Sequence, residues 1–168
     1  MNIQNDLDIR YSTVEDKDPL TKWLLDKETL KWFTVSTEKE VDLLSTNWVN
    51  FSKFNSSLTA TLDNVACGMG TLFLMPYKKV AHHALFYIVV DPNKRKQGIG
   101  TSLVKNLINL SQNYFRHEFL HCEIYEGCPL QPVLEKMGFT CFANQEGFLD
   151  INGKLLNRLC YQYVFKRP

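Results

Sequence analysis

Seven consecutive residues, Lys94-Arg95-Lys96-Gln97-Gly98-Ile99-Gly100, combine three cations with two positions that lack a Cβ. Placed at the start of a helix, that combination binds anions. The first N–H groups of a helix have no intrahelical acceptor, and with the macrodipole they present partial positive charge to a nearby phosphate. Gly98 and Gly100 keep side chains from blocking a close approach to those groups.

Two phosphate-binding chemistries fail on the details. A Walker A loop needs lysine directly after its last glycine, and Thr101 stands there. A dinucleotide fingerprint needs a third glycine where this chain has Leu103, and a turn tight against the strand instead of after Asp91–Gln97. The pair Gly68-Met69-Gly70 lies inside a strand-like run, where glycine marks a bulge or close packing more often than a cofactor contact. The plainest alternative for Lys94–Gln97 is a solvated basic loop after a structural strand.

The elements that must position this loop follow from periodicity. Leu7–Tyr11 alternates as a strand, and Asp18-Pro19 reads as an N-cap and first helical residue, so a helix is expected from about Pro19 to Trp32. Thr37-Glu38-Lys39-Glu40 has the capping-box pattern and starts a second helix that reaches about Phe54. Ser57–Leu62 and Val65–Met75 flank the turn Asp63-Asn64 as a hairpin. The run Ala84–Val90 is nearly all apolar, which predicts burial on both faces at the centre of a sheet. From Ile99, the residues Leu103, Val104, Leu107, Ile108 and Leu110 trace one helical face. Phe119–Tyr125 is a strand, Pro129–Met137 a short helix stopped by Gly138, and Asn152-Gly153 turns the chain between two final strands. The expected order is β, αα, βββ, α, β, α, ββ.

Composition narrows the class. At 168 residues and 45% hydrophobic, with no linker-like segment, the chain is expected to form a single domain over 1–168. Nineteen basic against 18 acidic residues leave a net charge of +1, so no bulk attraction to nucleic acid or an anionic membrane is expected. The five cysteines are odd in number and form no CxxC pair, which argues against a disulfide framework or zinc ribbon and for free thiols in a reducing cytosol. His82 and His83 lack a partner at metal-ligand spacing and read as loop or surface residues, so no metal is expected. Met1–Asp6 carries no signal-peptide pattern and no apolar run reaches spanning length, which predicts a cytoplasmic protein.

Arg95-Lys96-Gln97-Gly98-Ile99-Gly100 resembles the central motif of the Gcn5-related N-acetyltransferase (GNAT) superfamily, an apolar strand followed by Arg/Gln-x-x-Gly-x-Gly/Ala. Glu135-Lys136-Met137-Gly138-Phe139 resembles its C-terminal signature, and the element order matches over nearly the whole chain. The resemblance implies an α+β fold: a twisted, mostly antiparallel sheet with splayed central parallel strands and helices on both faces. It implies acetyl-coenzyme A as cosubstrate, its pyrophosphate held by the backbone of Gln97, Gly98, Ile99, Gly100 and Thr101, with Arg95 and Lys96 adding charge. It further implies that backbone groups at Ile88 and Val90, left unpaired by the splay, bond the pantetheine arm. Buried and unpaired, each such group would cost roughly 1–3 kcal/mol.

Acetyl transfer to an amine needs a neutral nucleophile and a route for its proton. Glu123 resembles the strand-borne glutamate of ribosomal-protein alanine acetyltransferases and is the candidate general base, on one strand face with His121 and Tyr125. The bland alternative is a solvated Glu123, or one paired with a neighbouring cation. The chain departs from the family at Leu134, where many members carry a tyrosine acid, and at Cys128, where many carry asparagine. Tyr125, Tyr87 or water could protonate the thiolate instead, or it could leave unprotonated. Trp23, Trp32 and Phe33 could border an acceptor pocket or simply fill the core, and Glu28, Glu38 and Glu40 could attract a cationic amine or simply be solvated. The expectation is a monomeric or homodimeric enzyme acetylating a small molecule or a protein N-terminus through a ternary complex. The alternatives are a catalytically weak acyl-coenzyme A sensor and a phosphate-binding protein with an unrelated ligand.

Overall fold

The computed structural model describes residues 6–166, so the stretch Met1–Asn5 read for targeting signals lies outside the described residues. The strands are β1 (Leu7–Tyr11), β2 (Ser57–Leu62), β3 (Val65–Leu74), β4 (His83–Val90), β5 (Phe119–Tyr125), β6 (Thr140–Ile151) and β7 (Lys154–Val164). The helices are α1 (Lys17–Leu24), α2 (Lys27–Leu30), α3 (Glu38–Asn50), α4 (Ile99–Asn113) and α5 (Gln131–Lys136). Hydrogen bonding orders the strands β1-β2-β3-β4-β5-β7-β6. The pairs β1–β2, β2–β3, β5–β7 and β6–β7 are antiparallel, and β4–β5 is parallel. That is the mixed, mostly antiparallel sheet the resemblance implies. No described helix is long and apolar enough to cross a membrane.

The chain divides into two compact units. The first comprises the described residues up to Thr71 together with Ile88–Leu107; the second comprises Leu72–Tyr87 and the chain from Ile108 onward. In the first unit, α1 packs on α3, and Leu20 and Leu24 of α1 and Val41 and Trp48 of α3 are all fully buried. The turn Asp63-Asn64 joins β2 to β3 with both residues at positive φ, as a two-residue hairpin with right-handed twist requires. Thr37 and Glu40 form the expected capping box on α3, the Glu40 carboxylate accepting the amides of Ser36 and Thr37 at 2.8 and 2.9 Å. Beyond Asn50 that helix tightens into a 3-10 turn over Phe51–Phe54 and stops at Asn55, which is left-handed.

The helix expected over Pro19–Trp32 is instead two helices, and Asp18 is not its cap. Asp16 supplies the preceding turn: its carboxylate accepts the Thr13 amide at 2.8 Å, Arg10 Nη1 and Nη2 at 2.8 Å each and the Thr59 hydroxyl at 2.9 Å. The helix then breaks after Leu25, because the Asp26 carboxylate accepts the Thr29 amide at 3.0 Å and starts a new helical turn. Burial alone would raise the Asp16 pKa, but the Arg10, Thr13 and Thr59 contacts outweigh it and hold the group below its ordinary value. A carboxylate with a lowered folded pKa contributes stability above its unfolded pKa, about 3.9, and loses it as pH falls through the folded value. Asp16→Asn is therefore expected to cost about 2–4 kcal/mol at neutral pH in a urea titration. Its penalty relative to the natural chain should shrink as pH falls from about 4, the unfolded pKa, through the lower folded value, where the natural carboxyl also protonates.

The two strand glycines are packing devices, as their position predicts. A Cβ on Gly68 would lie 3.1 Å from both Ile99 and Leu103 side chains, and one on Gly70 would lie 2.7 Å from Leu107 Cδ1 and 3.0 Å from Ile88 Cγ2. Helix α4 sits directly on them. Gly70→Val should lower unfolding free energy by about 1–3 kcal/mol, read from the denaturant midpoint, because the fully buried Leu107 must move.

Strand β4 corrects a second expectation. Ala84, Phe86 and Val89 are buried, whereas Leu85, Tyr87, Ile88 and Val90 are half-buried, so one face is covered and the other partly open. The buried set shifts by one residue between Phe86 and Val89, as an extra residue in the strand would cause. Among the described residues, the β4–β5 ladder runs over His83↔Phe119, Ala84↔Leu120 and Leu85↔His121.

Candidate functional site

The first unit carries the basic loop. The Asp91 amide bonds to the Cys67 carbonyl at 2.9 Å, and its carboxylate accepts the Asn93 amide at 2.9 Å, fixing where the chain leaves β4. Lys96 and Gly98 then take positive φ values of 61° and 81° before α4 begins at Ile99. The first helical rung is Ser102 N–H to Gly98 C=O at 3.0 Å, so the amides of Ile99, Gly100 and Thr101 lie ahead of it. A left-handed residue followed by a helical one turns successive N–H groups toward one concavity, a shape suited to anions.

The glycines test whether a diphosphate fits. A Cβ on Gly98 would meet nothing within 4 Å, and one on Gly100 would make only ordinary contacts, 3.6 Å to Ile88 Cδ1 and 3.8 Å to Val90 Cγ2. Protein packing therefore leaves open space over Gly98 and room for no more than a Cβ in ordinary contact at Gly100, whereas Gly68 and Gly70 have no such room. Lys96, Gln97 and Gly98 are exposed, Gly100 and Thr101 half-buried, and Ile99 is buried in the core, leaving only its backbone for a ligand. Arg95 behaves differently from Lys96: its guanidinium donates to the Thr29 hydroxyl, which in turn donates to Asp26 Oδ2 at 3.1 Å. Thr29 is buried, so Arg95 ties α2 to the loop instead of standing free over it.

The second unit carries Glu123, half-buried on β5. Alternation does place it with His121, and both line a cavity of about 110 Å³ with Met75, Leu85, Phe142 and Cys160. Its Oε2 accepts the Tyr87 hydroxyl at 3.3 Å and Arg158 Nη1 at 3.2 Å. No hydrogen bond reaches Oε1 among the described residues. Arg158 was not legible as a site residue, because only the β5–β7 register, Glu123↔Cys160 and Tyr125↔Arg158, brings it there. Burial, then the Glu123 charge, push the Tyr87 hydroxyl far above its ordinary pKa, so it remains a proton donor. Tyr125 is raised in the same way and stacks on Phe148.

Several other candidates resolve into packing. Leu134 and Trp23 are core residues, and Cys122 and Cys160 are buried with thiol pKa values pushed up, chiefly by burial. Glu40 is committed to its cap, and Glu28 pairs with Lys31. His82 lies in the turn before β4, as expected, whereas His83 opens β4 and stacks on Phe119, with His121 at 5.0 Å; both histidines are half-buried. Burial, followed by the charge on His83, lowers the His121 pKa. Among the described residues, no group of three His, Cys, Asp or Glu side chains is disposed to hold a metal.

Comparison with known proteins places this geometry in context. The family model described as the acetyltransferase (GNAT) family matches residues 18–139. No curated protein matches the chain in sequence. Among solved structures, yncA, a putative acetyltransferase from Salmonella typhimurium determined with its cofactor acetyl-CoA, has a TM-score of 0.82 at 15% identity, covering 98% of this chain and 96% of that one. A ribosomal-protein-alanine N-acetyltransferase from Brucella melitensis has 0.81 at 20% identity, covering 94% and 99%. An N-acetyltransferase from Staphylococcus aureus Mu50 has 0.78 at 16%, covering 96% and 99%. At these identities the likeness is one of fold.

Proposed function

We propose, since the chain belongs to the GNAT acetyltransferase family, that it is a cytoplasmic acetyl-coenzyme A-dependent N-acetyltransferase whose acceptor is a primary amine. The observation that carries this reading is the loop before α4, where Gly98 combines positive φ with open space ahead of the three leading amides, which are available to a diphosphate. Lys96 adds a cation there, and, among the described residues, Ile88 and Val90 lie on β4 beyond its ladder with β5. Bound acetyl-coenzyme A supplies the activated acetyl group as a thioester.

Glu123 is assigned the proton. Tyr87 and Arg158 both hold Oε2, which orients the carboxylate and leaves Oε1 for the acceptor amine or a bridging water. As the amine nitrogen forms its bond to the acetyl carbon, the carbon–sulfur bond breaks with its electron pair leaving on sulfur, and the amine proton passes to Oε1. Tyr87 keeps its proton through this step because burial disfavours the phenolate.

A sensor without turnover is the second reading, favoured by the core position of Leu134, which leaves no phenol at the family's usual place for the acid. Calorimetry with acetyl-coenzyme A tests the cofactor assignment, and absence of binding sinks both readings. Thiol release across a panel of amines then separates them: binding without release with any acceptor would favour the sensor.

A further inference from the structure

The acceptor class can be read from what surrounds Glu123, on the reading that Glu123 receives the acceptor's proton. Arg158 is held by three anchors within the second unit. Its Nε and Nη2 donate to Gln145 Oε1 at 3.1 and 2.7 Å, its Nη1 donates to Glu123 Oε2 at 3.2 Å, and its guanidinium carbon lies 4.1 Å from the Phe148 ring centroid. The side chain is nevertheless 25% exposed, and that of Glu123 is 33% exposed. A guanidinium has five N–H donors, and these contacts use three of them. Among the described residues, two donors remain on Arg158 and one oxygen on Glu123.

The pair thus offers a fixed positive donor beside a fixed negative acceptor, open on one side. Its complement is a molecule with an ammonium and an anion a short covalent distance apart. We propose that the acceptor is a free α-amino acid, its amino group at Glu123 Oε1 and its carboxylate on the two remaining Arg158 donors. Guanidinium geometry favours a carboxylate, and its charge-assisted bonds are about twice as strong as neutral ones. A simple amine fills only the Glu123 half. A protein N-terminus presents a neutral amide carbonyl where the carboxylate would be. An ion pair built only for stability gains little at such exposure, so it does not call for three anchors on the guanidinium.

The test uses the full chain with acetyl-coenzyme A and the coded amino acids, each as free acid, as amide and as decarboxylated amine, with kcat/KM read by thiol release. For the side chains that react, the free acid should be preferred over both other forms by roughly 10- to 100-fold. In Arg158→Gln that ratio should fall to about threefold or less, whatever the absolute rates. Arg158→Lys, which keeps the charge and loses the fork, should lie between, and circular dichroism identifies any variant that fails to fold. Equal use of the three forms by the natural chain, or an unchanged ratio in folded Arg158→Gln and Arg158→Lys, overturns the proposal while leaving N-acetyl transfer intact. No acetyl-coenzyme A binding, or no turnover with any form, overturns both this inference and the function on which it rests.

Discussion

Gly98→Leu is expected to fold and to lose its cosubstrate. Gly98 sits at φ 81°, so a side chain there carries the strain of the left-handed region, roughly 1–2 kcal/mol, yet its Cβ would meet no atom within 4 Å beyond its chain neighbours. Stability should fall by about that amount and no more. The new side chain instead fills the concavity in front of Ile99, Gly100 and Thr101, where the diphosphate would take its amides. Each hydrogen bond to a charged group contributes about 1.5–3 kcal/mol, so losing two weakens binding by roughly 10²- to 10⁴-fold. Calorimetry with coenzyme A and a urea titration on the same protein measure the two effects separately. Gly70→Val should show the opposite pattern, a stability loss arising from contact with Leu107 and Ile88. Retained affinity in folded Gly98→Leu would remove the loop from the diphosphate site.

The contrast between these glycines explains why some of the site was legible in the sequence. The loop is local: its charges, its glycines and the helix they open lie within a dozen residues, and the conformation each glycine permits follows from sterics alone. The hairpin turns at Asp63-Asn64 and Asn152-Gly153 were legible for the same reason, and both adopt positive φ. Asp26 was harder, because its capping role competes with the helical periodicity running from Pro19, and only the bond to Thr29 decides the break. The apolar run Ala84–Val90 misled because residue type cannot distinguish a face covered by protein from one left partly open. Arg95 shows a similar limit. Its charge suggests a phosphate partner, while the bond from its guanidinium to Thr29, distant in sequence, was not legible. Arg158 was beyond reach, since its place beside Glu123 depends on the register of β7 against β5 and on the Gln145 and Phe148 contacts from β6.

Glu123→Gln carries the other large effect. Glutamine keeps the side-chain shape and an oxygen that can accept from Tyr87 or Arg158, so folding and coenzyme A affinity should be unchanged. It cannot take a proton. Removing a positioned general base typically costs 10²- to 10⁴-fold, and kcat should fall by about that factor. The pH dependence gives the sharper reading. In the natural chain Glu123 takes the acceptor's proton at the site, so the rate does not hinge on the amine being neutral in solution. In the variant the residual rate should instead follow the fraction of acceptor already neutral in solution, rising about tenfold per pH unit until the amine itself is deprotonated. The gap between the variant and the natural chain should therefore narrow as pH rises without closing, because the proton lost as the carbon–nitrogen bond forms still lacks its acceptor. A profile parallel to the natural one would leave Glu123 as a strut for the Arg158–Gln145 arrangement. In that case His121, which lines the same cavity and whose lowered pKa keeps it neutral at physiological pH, becomes the group to substitute next.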